Sequence, residues 1–293
     1  MNLPHRITKL ASALCAGALL FPNLAWAKVE PLSLARQGAW QVNYDDDSCH
    51  LLGAFGLGND QIIFRLTRYQ PGDEFTLTLY GEPLKTSAAY SPIKLAFGDG
   101  APLQAKESMN GKNGTAAMII VPEIFDVLDR KPSKAKPELP PVTAEQEATV
   151  KRLTFQFEGR KPLRLELGSM AAPLKAVRAC NADLVKFWGL DPDVQAKLKR
   201  RPTPTISPGR WLRSEDYPKA LWEKGQIGLV RFRLEVDAAG AVSGCHIQLK
   251  MKSTDFDKLS CDLITKRAKF VPALDATGAP VKSYYVNAVR WIL

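Results

Sequence analysis

Set aside the first 27 residues, which read as a leader, and only two histidines remain, His50 and His246, so there is little room for histidine-based acid–base or metal chemistry. Each stands beside a cysteine, Cys49 or Cys245, where a packing or surface role is the simpler reading. The one dense carboxylate cluster is Asp45-Asp46-Asp47. A hard cation needs oxygens at alternating loop positions around a glycine turn; three consecutive aspartates lack that spacing and read as a solvated turn between strands. Gly53-Ala54-Phe55-Gly56-Leu57-Gly58 has neither the glycine spacing nor the following Lys-Ser/Thr of a phosphate loop. No Gly-x-Ser-x-Gly elbow occurs, and Ser169, Ser243 and Ser253 have no evident base. These residues predict no catalytic site, no metal site and no cofactor.

The cysteines are more informative. Beyond the leader there are four, Cys49, Cys180, Cys245 and Cys261, with no Cys-x-x-Cys pair, and an even count in an exported chain points to disulfides. Three pairings are possible. Cys245 and Cys261 fall within one small C-terminal unit and Cys49 and Cys180 bracket the N-terminal part, which favours Cys245 with Cys261 and Cys49 with Cys180.

Export is read from residues 1–27: basic Arg6 and Lys9, an apolar run from Leu10 to Phe21, and the small-x-small site Ala25-Trp26-Ala27. The apolar run is about 12 residues, short of the roughly 20 needed to span a bilayer, so cleavage and a periplasmic location are expected, with an inner-membrane anchor as the alternative. The mature chain is predicted to begin at Lys28; N-terminal sequencing or intact mass of the exported protein checks this, and residues 1–27 retained in the membrane fraction would favour the anchor. The leader carries two basic residues and no acid, so the +10 of the full chain becomes +8. That mild excess suits anionic lipid or acidic partners but singles out neither, and export together with the lack of a binding motif argues against nucleic acid.

Residues 28–200 read as a β-rich N-terminal domain. Gln61–Leu66, Glu74–Leu79, Ile93–Phe97, Ala116–Val121, Leu153–Phe157 and Leu163–Leu167 are short apolar or alternating runs separated by turn dipeptides, which predicts an antiparallel sheet, sandwich-like. Arg130–Val142 is a Lys/Pro/Glu loop, a short helix follows near Thr143–Lys151, and helices are expected over Leu174–Leu190 and Asp191–Arg200. Residues 201–212 open with Arg-Pro-Thr-Pro-Thr-Ile-Ser-Pro and read as a Pro-rich linker.

Residues 213–293 have the clearest pattern. In Ile227–Val236, Val230, Phe232, Leu234 and Val236 alternate with Arg231, Arg233 and Glu235, the period of a strand with one buried face. An Asp237-Ala238-Ala239-Gly240 turn leads to a second strand over Val242–Leu249; Ser253, Thr254 or Asp255 can cap a helix ending near Phe270, and Tyr284–Leu293 forms a last aromatic strand. With a short helix around Pro218–Lys224, the order predicts a small α+β unit with two helices on one face of an antiparallel sheet. Tyr217-Pro218, Glu223-Lys224-Gly225, Val242-Ser243-Gly244-Cys245, Phe256-Asp257-Lys258-Leu259, Phe270-Val271-Pro272-Ala273 and the aromatic final strand, in this order and spacing, resemble the C-terminal domain of the TonB family, that of the energy transducers.

The resemblance implies a binding module rather than an enzyme. An extended segment of an outer-membrane receptor plug would add to the edge of the last strand, carried here by Tyr284, Tyr285, Val286, Asn287, Val289, Arg290 and Trp291, with Tyr217 and Pro218 leading into the domain. Val289 is read as an outward-facing position of that edge. The implied partners are an outer-membrane receptor or another envelope protein and, as a further class, inner-membrane motor proteins, in TonB-dependent transmembrane transport. This sequence departs from a full energy transducer: its Pro-rich stretches reach only about 30 Å at ~3.1 Å per residue, too short for a spacer across the envelope. The alternative is a periplasmic enzyme or solute-binding protein acting through its N-terminal β domain.

Overall fold

The computed structural model describes residues 29–86, 88–99, 103–131, 133, 139–249 and 254–293; the leader and Ser253 lie outside them. The fold is α+β. Nine strands form the N-terminal part: β1 (Leu32–Asp45), β2 (Ser48–Phe55), β3 (Ile62–Arg68), β4 (Phe75–Tyr80), β5 (Tyr90–Phe97), β6 (Gln104–Asn113), β7 (Ala116–Ile124), β8 (Arg152–Phe157) and β9 (Leu163–Glu166). Their order, β1-β2-β3-β4-β7-β6-β5-β8-β9, closes on itself, so the expected sandwich is a barrel. Closure comes from a parallel pairing of β1 with β9, Leu32 opposite Leu163 through Ala35 opposite Glu166. A closed sheet has no edge to protect, and its inward positions need only fill one interior. Leu51, Phe55, Phe64, Leu66, Leu77, Leu79, Ile93, Leu95, Ile119, Val121, Leu153, Phe155 and Leu165 fill it. Gly53 permits the close approach of Trp40, since a Cβ there would stand 2.7 Å from the indole ring.

α1 (Ala144–Thr149), capped at its N-terminus by the reciprocal Thr143–Gln146 bonds, leads through β8 and β9 to α2 (Ala171–Phe187) and α3 (Pro192–Ala196). α2 contributes Leu174, Val177, Leu184 and Val185 to the barrel's own core, and a disulfide joins its Cys180 to Cys49 on β2. The Pro-rich stretch that follows is built into the fold rather than left as an open spacer. Thr203 and Pro204 pair with Val271 and Phe270, and the Trp211 side chain is buried against Phe270 and Tyr285.

The last part holds α4 (Lys219–Glu223), β10 (Gly228–Val236), β11 (Val242–Leu249), α5 (Thr254–Arg267) and β12 (Ser283–Trp291), with β10 central in an antiparallel sheet between β11 and β12. The β10–β11 hairpin turns at Gly240, where φ is +82° and a Cβ would meet the Phe270 carbonyl oxygen at 2.0 Å, while Asp237 Oδ1 accepts from the Ala239 and Ala241 amides. Cys245 on β11 is bridged to Cys261 on α5. Phe232, Leu234, Ile264 and Phe270 form one core between sheet and helices, and Val230, Phe256 and Trp291 another.

The opposite face of this sheet is not in water. Arg231 and Arg233, the polar face of β10 in sequence, are only 5% and 3% exposed because that face lies on the barrel wall. Arg233 donates to Asp47 Oδ1 at 3.0 Å and stacks 4.4 Å over Trp188; Arg231 lies 4.7 Å over Tyr69 and donates to the Pro122 carbonyl at 3.3 Å. Leu229 packs on Met109 and Ile120, and Gln248 donates to the carbonyls of Asp47 and Tyr69. A guanidinium can be buried when an acceptor and an aromatic face meet it, and both come here from the N-terminal part; Arg233 Nη1 has no hydrogen bond among the described residues and lies 3.7 Å from Glu235 Oε1 on β10 itself. The Asp45-Asp46-Asp47 turn joins β1 to β2 with Asp45 and Asp46 exposed, as expected of a solvated turn, while Asp47 adds a docking contact that the sequence did not show.

Candidate functional site

Among the described residues β12 is an edge strand, hydrogen-bonded to β10 on one side only. Along its other side runs a groove of about 490 Å³, whose floor and near wall come from Phe232, Ile264 and Asn287 to Ile292 and whose far wall is the Pro208–Tyr217 segment. Aromatic packing shapes one end. Trp291 stacks on Phe256 with centroids 5.2 Å apart, meets the Tyr217 edge at 5.5 Å, and donates its indole N–H to Ser260 Oγ at 3.0 Å. Arg213 and Arg290 give the groove positive charge, Arg290 also reaching Glu107 on β6 at 3.1 Å.

The backbone polarity of the edge follows from two side-chain contacts. The Ala288 amide donates to Asn287 Oδ1 at 2.7 Å, so it does not point at β10, and Ser243 Oγ on β11 reaches the Glu235 carbonyl, which directs the odd-numbered groups of β10 toward β11. Backbone groups of successive residues alternate sides along a strand. In the observed register, where Val230 faces Val289 and Phe232 faces Asn287, the odd residues of β12 thus bond β10 while Val286, Ala288 and Arg290 turn their N–H and C=O to the open edge. Val289 does not face outward, as the strand pattern had suggested: its backbone serves the β10 ladder and its side chain packs into the core beside α5.

Of the residues singled out in the sequence, Asn287, Val289, Arg290, Trp291 and Tyr217 come together at the groove. Tyr284, Tyr285 and Val286 do not line it: Tyr284 is buried 5.0 Å from Trp188, Tyr285 packs on Trp211 and Phe270, and Val286 rests on the barrel-side core. Pro218 precedes α4 and also lies outside it. Sequence reasoning missed Trp211, Leu212 and Arg213, hidden at the end of a proline-rich stretch; a tryptophan in a supposed linker was the available signal. Away from the groove, His50 bonds Thr67 Oγ1 at 2.9 Å and His246 bonds Glu235 at 2.8 Å; burial, then the nearby Arg65, lowers the His50 pKa. Among the described residues no cluster of His, Cys, Asp and Glu is placed to hold a metal.

Residues 213–293 match the model of one family, described as Gram-negative bacterial TonB protein C-terminal. The last quarter of the chain carries a TonB C-terminal domain. No curated protein and no solved structure matches the chain. The family is a non-enzymatic, transport-associated one of the envelope, and the match does not extend to the barrel. No helix among the described residues is long and apolar enough to cross a membrane.

Within the TonB domain the far wall of the groove is held by one cation. Arg267, at the end of α5, donates to the Trp211 carbonyl at 2.9 Å and to both oxygens of Asp216, at 2.8 Å to Oδ1. That bidentate bond holds the Asp216 carboxyl below its ordinary pKa. A depressed carboxylate contributes stability that is complete above its unfolded pKa near 4 and is lost as pH falls through the folded value. Asp216→Asn is therefore expected to melt a few degrees lower than the parent at pH 7 and to lose less between pH 7 and pH 3; calorimetry at the two pH values measures both.

Proposed function

We propose that this protein is a periplasmic peptide-capture protein: its TonB C-terminal domain takes up an extended segment of an outer-membrane receptor or another envelope protein as an added strand on β12, in TonB-dependent transport. The observation that carries this reading is the groove lying directly along the one-sided edge of β12, with the outward backbone groups of Val286, Ala288 and Arg290 at its side; the Ala288 amide is held by Asn287 Oδ1 and is released when an added strand takes its place. Unpaired strand edges bind extended peptides through backbone hydrogen bonds, and side-chain pockets select among them. Here Tyr217, Val289 and Trp291 offer apolar contact and Arg213 and Arg290 positive charge. The barrel lies on the other face of the sheet and leaves this edge open. Ion pairs and apolar packing hold the domain to it, so the domain does not swing on a long spacer.

The test is titration of the mature chain with synthetic peptides from the N-terminal segments of receptor plugs, followed by calorimetry and by amide chemical shifts of β12. Saturable binding with shifts concentrated at Val286–Ile292 is expected. Binding that shifts barrel residues instead, or no binding by any such peptide, removes this reading and favours a solute-binding or enzymatic role for the barrel.

A further inference from the structure

We infer a second site, independent of the groove, in the chamber where α2, α3, the β3–β4 loop and the start of β12 meet, and assign it a medium-chain monocarboxylate, its hydrocarbon chain in the chamber and its carboxylate at the rim on Arg201. The chamber has a volume of about 240 Å³ and is lined almost wholly by apolar atoms, with Pro71, Ala182, Val185, Pro192, Ala196 and Tyr284 as its main walls. Its interior leaves no polar group for an occupant. The Asn181 amide atoms are fully buried behind the wall, Arg178 is paired with Glu147 at 2.9 Å, and Gln195 donates to the Lys282 carbonyl and accepts from Ser283. Such an interior penalises a polar body and suits a hydrocarbon one.

The rim has the opposite character. Arg201 lines the chamber yet is an exposed residue, and it lies beside the Tyr284 hydroxyl. It ends the run Lys197-Leu198-Lys199-Arg200-Arg201 that leaves α3, in which all four cations are exposed and, among the described residues, none is paired with a carboxylate. The acids of α3 stand at its other end, where Asp191 accepts from the Asp193 and Val194 amides. An unpaired guanidinium beside an apolar chamber complements a ligand that is apolar along its body and anionic at one end, and its fork of donors matches a carboxylate. An ammonium head would be repelled there, and a hydroxyl would forgo the charge. The volume holds about eight heavy atoms at ~30 Å³ each, which fits a medium-chain acid and not a full lipid chain. The occupant would touch Tyr284, whose ring packs on Trp188, and so would brace the joint between the barrel helices and the first residues of β12.

The probes are butanoate, hexanoate, octanoate and decanoate, titrated below their micelle concentrations into the full mature chain by calorimetry and ligand-observed NMR, with octanol and octylammonium as matched compounds. Saturable binding is expected to tighten about fourfold per added methylene up to octanoate and to gain little at decanoate, once the chamber is full. Octanol should bind about fivefold more weakly than octanoate, and octylammonium more weakly still. Arg201→Gln, at an exposed side chain, is expected to weaken octanoate about fivefold and to leave octanol unchanged. Ala182→Leu fills the chamber from α2 and should weaken both. The chain-length series needs no variant, so the result does not depend on one of them folding. The assignment is overturned if no acid binds saturably, if affinity keeps rising through decanoate, or if octanol matches octanoate. It is also overturned if octanoate binds either folded variant as it binds the parent.

Discussion

Replacing Cys49 and Cys180 together by alanine is expected to lower the unfolding free energy of the mature chain by about 4–5 kcal/mol. The bridge spans 131 residues, and in the chain-entropy view such a loop constrains the unfolded chain more than the 16-residue span of Cys245–Cys261, for which about 3 kcal/mol is expected. The long bridge also does more in the folded state. Both its sulfurs are fully buried, and it holds α2 to β2; the Trp188 that follows α2 supports Arg233 and Tyr284 of the TonB domain. Loss of the long bridge should therefore also loosen the joint between the domain and the barrel, whereas loss of the short one should act within the domain. Urea unfolding followed by the two regions' amide exchange separates these outcomes. An unchanged midpoint in the long-bridge variant would mean that packing alone holds α2.

Ala288→Pro is expected to leave the TonB domain folded and to weaken peptide capture about 100-fold, near 2.7 kcal/mol, by placing a ring where the added strand would lie and removing an outward amide that Asn287 Oδ1 holds in the free protein. Proline is tolerated on the open side of an edge strand because no ladder bond is lost there. Val289→Pro is the contrasting variant. Its amide belongs to the pairing with Val230, so it should unfold the sheet rather than test binding. A thermal melt establishes which variant folds, and calorimetry with receptor-plug peptides reads the affinity. If folded Ala288→Pro protein binds as the parent does, strand addition at this edge is wrong.

Short-range regularities carried much of this fold into the sequence. The alternation of Val230, Phe232, Leu234 and Val236 marked β10, the run Leu174–Leu190 carrying Cys180, Leu184, Phe187 and Trp188 marked α2, and an even cysteine count in a chain read as exported pointed to disulfides. Motif order placed the TonB domain in the last quarter. The strands left unread were β1, β2 and β6, in which Ala-Arg-Gln-Gly and Lys-Glu-Ser-Met-Asn-Gly carry little apolar alternation, because β1 is mostly exposed and β6 is half polar.

What tertiary structure alone decided are the long-range facts. Barrel closure depends on a parallel pairing between Leu32–Ala35 and Leu163–Glu166, and no local pattern records which distant strand an edge will meet. The arginines of β10 look like a solvent face because a charge alternating with apolar residues has the same period whether it meets water or a carboxylate and an aromatic ring; only docking on Asp47, Tyr69 and Trp188 distinguishes the two. The outward amides of β12 were equally unreadable. Side-chain alternation tells which face of a strand is buried, but which backbone groups stay open depends on the side from which β10 pairs, and that is settled only when the sheet assembles.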